Sequence, residues 1–185
     1  MFYSFSFSTV ALWVGILLLL THLAAWLHGP ALRVPLARFP RSRVMGVLLF
    51  TIAAVWGFYL VATMDLGEFG GQRTLFLWII AIAYGLAIFF VEEFLAVRAL
   101  GMILLLAAQI LLDAAFMKES PWRLSLTILA YVWVIAGCFW IGMPYLLRDQ
   151  IAWLGRSPLR WKIAAGAGFL YGVGLVVIAV APNLG

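Results

Sequence analysis

Long runs without a charge alternate with short polar breaks along this chain, and the alternation yields six apolar stretches. A lipid core about 30 Å thick is crossed by roughly 20 helical residues. The stretches at residues 8–27, 44–64, 74–91, 99–116, 122–147 and 163–181 come near that length. A backbone inside lipid must satisfy its own hydrogen bonds, which makes helices the expected elements. The pattern therefore predicts an all-α fold, a polytopic transmembrane helix bundle of six spans forming a single integral membrane domain over residues 1–185.

Composition excludes the main alternative. Charged residues are 10% of the chain and apolar ones 66%, with a mean hydropathy of +1.12, whereas a soluble domain carries about 25% charged residues. The breaks between spans are too short to hold a water-soluble domain, so any active surface is expected inside the bundle or at its rims. The first run has no positive segment ahead of it and exceeds the roughly 7 to 15 residues of a secretory signal core, so it reads as a retained helix.

The basic residues are sorted by side. Arg33, Arg38, Arg41, Arg43, Arg98, Arg148, Arg156, Arg160 and Lys162 fall on one side of the predicted bundle, and only Arg73, Lys118 and Arg123 on the other. Cytoplasmic loops carry the excess of Lys and Arg, which predicts both termini outside (N-out/C-out); the expected setting is a bacterial inner (plasma) membrane. The same rule explains the net charge of +5 without nucleic acid, which is not expected as a partner. Aromatic rings favour headgroup depth, and Phe2, Tyr3 and Trp122 mark the outer boundary while Trp26, Tyr145, Trp153 and Trp161 mark the inner one. Trp56, Trp133 and Trp140 lie deeper and are expected to face other helices, where an indole N–H finds a partner.

Several breaks carry their own signals. Pro30, Pro35 and Pro40 recur every five residues, and because each lacks an N–H the segment is predicted to be extended; its Arg33, Arg38, Arg41 and Arg43 could hold lipid headgroups or serve only to fix orientation. Between spans three and four, residues 92–98 contain neither Gly nor Pro, which predicts a tight, partly helical elbow. Ser120 and Pro121 form a helix start signal. Pro144 should kink the fifth span, and residues 148–154 beyond it read as interfacial up to a stop at Gly155. Residues 64–71 read as a flexible acidic loop with too few carboxylates for a calcium site. Ala164, Gly168 and Gly172 recur every four residues in span six, and Ala11–Gly15 and Ala81–Gly85 repeat the spacing, so these faces are candidate helix-packing surfaces.

Ionisable groups within the spans are few, and such groups are functional candidates because burying them unpaired in lipid is costly. His22 and His28 stand six apart on different faces of one helix; no second span supplies a histidine, so neither a haem nor another metal centre is expected. Glu92, Glu93, Arg98, Arg148 and Asp149 gather with the histidines at the predicted cytoplasmic rim, where Glu92 or Glu93 could pair with Arg148. Gln109 and Asp113 stand at i,i+4 on one helix face and could hydrogen-bond as a polar track. Cys138 is the only cysteine, so no intramolecular disulfide is available and the thiol reads as a small packing group. No nucleophile elbow, phosphate loop, HExxH or CxxC motif occurs, and no cofactor is expected.

Three functional classes remain. A scaffold or subunit of a membrane complex, or a homo-oligomer, would use the small-residue faces. A transporter or channel would route solute past Gln109, Asp113, Thr63 and Tyr131. A membrane enzyme acting on lipid or quinone would converge Glu92, Glu93, His22 or His28 at the rim.

Overall fold

Ser6 starts the first helix: its Oγ accepts from the backbone N–H of Thr9 at 3.2 Å, supplying one of the partners that a helix N-terminus lacks. Helix α1 then runs over Phe7–Leu27. Ser42 repeats the device with the N–H of Met45 at 3.3 Å, ahead of α3, Arg43–Thr63. The computed structural model describes residue 3 and residues 5–91, 93–118 and 120–181, apart from the side chain of Pro30. Its remaining helices are α2 (Gly29–Arg38), α4 (Arg73–Phe90), α5 (Leu95–Ala115), α6 (Arg123–Gly142), α7 (Tyr145–Gly155) and α8 (Pro158–Val180), with no strand among the described residues. Six helices are long and apolar enough to cross a membrane: α1, α3, α4 with the turn before it, α5, α6 and α8.

The proline-rich segment corrects the extended conformation expected of it. Residues 29–38 form α2, and Phe39–Arg41 add a turn of 3-10 helix. Pro30 stands in the opening turn, where a missing N–H removes no intrahelical bond, so its fixed φ favours the helix. Pro35 interrupts the ladder once, and the helix ends before Pro40. Residues 67–72 likewise form a 3-10 helix rather than a flexible loop; Asp65 Oδ1 accepts from the N–H of Gly67 at 2.9 Å, and Gly67 takes a φ of +53°, a conformation open to glycine.

The fifth apolar run is two helices, not one kinked span. Helix α6 ends at Gly142, Met143 and Pro144 interrupt it, and α7 begins at Tyr145 and stops at Gly155. Ser120 and Pro121 open a tighter turn first, with Ser120 Oγ accepting from Trp122 N at 3.4 Å and the regular helix starting at Arg123. The turn between α4 and α5 needs no glycine because Phe94 itself adopts a φ of +57°, and α5 starts at Leu95, four residues ahead of the predicted span. Helix α8 starts at Pro158, five residues ahead of its own.

The chain divides into two compact units. The first contains residues 1–37, 107–134 and 148–185, and the second residues 38–106 and 135–147. Each boundary along α5 and α6 falls within a helix, so both helices contribute residues to both units. In the first unit, α1 and α8 pack antiparallel along their length, and Phe7, Val10 and Ala11 share a core with Leu111, Leu126, Ala130, Leu175 and Ile178. In the second, Phe50, Leu95 and Ala99 form a smaller core covered by Tyr84, Ile88 and Met102. Helix α4 packs on α3 yet has no fully buried residue.

Candidate functional site

The joint between α1 and α8 gathers most of the sequence-predicted packing residues. A Cβ placed on Gly172 would stand 2.8 Å from Leu19 N and 3.0 Å from the Gly15 carbonyl oxygen; one on Gly15 would stand 3.0 Å from the Gly172 carbonyl oxygen. Only glycine at both positions lets the backbones approach this closely, the arrangement that gives lipid-embedded helices their dispersion contacts. One turn along, the imidazole of His22 fills the notch over Gly168. Trp26 lies on Gly166, and Trp161 lies on Gly29. Trp161 is held there by a hydrogen bond from its Nε1 to the Ala25 carbonyl oxygen at 2.8 Å.

The buried positions on α8 run 161, 165, 172, 175 and 178; with Gly168 the spacing alternates four and three residues as far as 175 and is three from there to 178. The alternation is the 3.5-residue period of knobs-into-holes packing. Ala165 is buried and Ala164 is exposed, so the face turns away from the strict four-residue stripe read from the sequence. Gly85 is different again: nothing lies within 4 Å of the place its side chain would occupy.

Polar groups in the spans are bonded to other parts of the same chain. His22 Nδ1 lies 2.8 Å from the Leu18 carbonyl oxygen; a carbonyl only accepts, so Nδ1 is the donor, and the rest of the ring lies over Gly168. Tyr171 OH donates to the Ser125 carbonyl at 2.6 Å. Gln109 Nε2 donates to Asp113 Oδ1 at 3.0 Å, forming the i,i+4 bond, and the N–H of Tyr3 reaches Asp113 Oδ2 at 3.3 Å. In the second unit Thr51 Oγ1 donates to the Val47 carbonyl at 2.8 Å, so the 2.8 Å contact with Tyr84 has the phenol as donor. The Tyr84 ring stacks on Phe50 with centroids 5.7 Å apart. Thr63 bonds back to Tyr59 within its own helix, and Tyr131 is exposed.

The rim residues do not converge on a common point within either unit. Arg148 pairs with its neighbour Asp149 at 2.8 Å, both about half exposed, and such a pair contributes little. Glu93 is exposed in the turn before α5, and Arg98 is half-buried in the first turns of α5, its Nε without a partner among the described residues. The Glu92 pairing lies outside the described residues. His28 is the exposed C-cap of α1. Among the described residues, no three His, Cys, Asp or Glu side chains are grouped to hold a metal.

Two arrangements were not anticipated from the sequence. Arg73 reaches back to the end of α3, donating to the carbonyls of Ala62 at 2.9 Å and Met64 at 2.8 Å. Arg33 lies over the Trp161 ring at 5.7 Å, and Arg160 over the Trp153 ring at 4.5 Å. The only sequence trace of either was a cation near a helix end.

Grooves open on the surface among the described residues. One of 420 Å³ runs between α1, α5 and α6, lined by Thr9, Trp13, Val14, Ile110 and Trp133 among others. Two more, of 230 and 360 Å³, flank Ile80 and Tyr84 on α3 and α4. Their linings are almost entirely apolar, with the Thr51–Tyr84 pair and Thr9 as the polar exceptions. Such grooves suit hydrocarbon, not hydrated solute.

These features define an integral, polytopic α-helical membrane protein with six spanning-length helices. Comparison with protein-family models, with curated proteins and with solved structures yields no match.

Proposed function

We propose that this protein is a small polytopic scaffold or subunit of a membrane complex, acting as one integral domain in a bacterial inner membrane with both termini outside. The supporting observation is the use made of its intramembrane polar groups. Tyr171, Thr51, Tyr84, Gln109, Asp113, His22 and Trp161 bond to backbone or side chains of the same chain, where a solute path would leave them facing water and an enzyme would aim them at one reacting atom. The grooves, lined by hydrocarbon, agree with that reading. So does α4, where a side chain added at Gly85 would meet nothing within 4 Å. The sorting of nine of the twelve cations to one side supports the orientation.

The test is to crosslink the tagged full-length protein in its native membrane, extract it in mild detergent and determine composition and mass, with solute flux in liposomes measured in parallel. A complex of fixed stoichiometry, with a second membrane protein or with further copies of this chain, is the expected result. A monodisperse monomer that carries solute across liposomes would overturn the proposal in favour of transport. A monomer that turns over a lipid or quinone would overturn it in favour of catalysis.

A further inference from the structure

The end of the first unit where α1 finishes and α8 begins carries more cations than the described carboxylates of that end neutralise. From residue 148 to residue 162 there are Arg148, Arg156, Arg160 and Lys162 against one carboxylate, Asp149, which is already paired with Arg148. Helix α2 adds Arg33 to the same unit. Arg33 is half-buried and has no hydrogen-bonding or carboxylate partner among the described residues; its Nε is shut away from solvent. What holds Arg33 in place is Trp161. Gly29 and Arg33 stand four apart on one face of α2. Gly29 receives the edge of the indole, and the guanidinium lies over the ring.

That indole is not free to move. Trp161 is 8% exposed and tied to the Ala25 carbonyl, so Arg33 rests on a fixed platform. Arg160, next to Trp161 in sequence, rests in the same way on Trp153. A guanidinium stacked on a ring keeps its N–H edge available, and two parallel N–H donors match two phosphate oxygens. Stacked guanidiniums at the end of a spanning-length helix stand at headgroup depth, which favours a lipid phosphate over a free anion.

We propose that Arg33 on Trp161 forms a binding site for the phosphodiester headgroup of an anionic phospholipid, with Arg160 on Trp153 and Lys162 adding charge at the same end of α8. Trp161 positions Arg33, and Arg33 makes the bidentate contact. A zwitterionic lipid brings its own cation to the same place and is the weaker ligand. This inference does not depend on the scaffold reading, since a transporter or an enzyme could carry the same lipid.

The full-length protein in nanodiscs of phosphatidylcholine is titrated with phosphatidylglycerol, and bound lipids are counted by native mass spectrometry after release into mild detergent. Phosphatidylglycerol should be retained in preference to phosphatidylcholine, and Arg33→Gln should weaken that retention about tenfold, the scale of a charge-assisted hydrogen bond. Arg33→Lys should lose nearly as much, because an ammonium keeps the charge without the planar fork. Arg160→Gln, at an exposed residue, should weaken retention several-fold and provides the test if Arg33 variants fail to fold. Arg123→Gln, remote from this cluster, should change nothing. Equal retention of the two lipids, equal losses in Arg160→Gln and Arg123→Gln, or inorganic phosphate binding as tightly as phosphatidylglycerol would each overturn the proposal.

Discussion

The imidazole of His22 occupies the space that a side chain on Gly168 would fill, while its Nδ1 donates to Leu18 one turn back on its own helix. The ring is thus oriented by α1 and accommodated by α8. Gly168→Ala would push it off this hydrogen bond or force the helices apart, at about 1–3 kcal/mol for an overpacked contact. The loss should appear as a lower midpoint in unfolding by mixed detergent micelles. Ala164→Leu, four residues away but exposed, should stay within about 0.5 kcal/mol. The double variant Gly168→Ala with His22→Ala should recover part of the deficit, since the clash then has no second partner.

Tyr171→Phe removes one hydroxyl and leaves the ring. The lost bond to Ser125 should cost about 0.6 to 1.7 kcal/mol, the range for interhelical hydrogen bonds in membranes. Unfolding in the same micelle series measures it, and no change at all would mean that the Ser125 carbonyl finds an equal donor elsewhere.

Arg73 closes α3 from outside the helix. Replacing it by Gln removes two donors from the Ala62 and Met64 carbonyls, costing about 1–3 kcal/mol. Because the loss is local, it should appear first as faster proteolysis between Thr63 and Arg73, ahead of any fall in the global midpoint.

Tyr84 acts twice, through its hydroxyl on Thr51 and its ring on Phe50. Tyr84→Phe should cost about 0.6 kcal/mol. A double-mutant cycle of Tyr84→Ala with Phe50→Ala should recover a further coupling of about 0.5–1.5 kcal/mol for the aromatic pair. Zero coupling would show that the rings touch without stabilising each other.

The six spanning segments were legible because lipid imposes one strong requirement, an uninterrupted apolar length, that hydropathy reports directly. Local chemistry was legible where one residue controls one bond, as where Gln109 meets Asp113; Pro144 was read as a kink, and the break there is complete. The proline segment was misread because counting prolines overlooks their position, and Pro30 in an opening turn helps the helix that Pro40 stops. Ala164 was placed in the packing face because a four-residue stripe and a 3.5-residue period coincide over two positions and then diverge, with Ala165 taking the buried place. The Arg73 cap reaches back across a turn and the stacking of Arg33 on Trp161 joins residues distant in sequence, and no local pattern encodes which carbonyl or ring a long side chain will reach.

The close apposition of Gly15 with Gly172 also bears on how the protein is made. A ribosome delivers α1 into the membrane long before α8 exists, so the most extensive helix pair cannot zip up until nearly all of the described chain has been inserted. Until then the glycine-notched side of α1, with His22 and Trp26 on it, must face lipid, the insertion machinery or a temporary helical neighbour. Nascent chains arrested before residue 158 should therefore crosslink from α1 to that machinery, and chains released after Val180 should not.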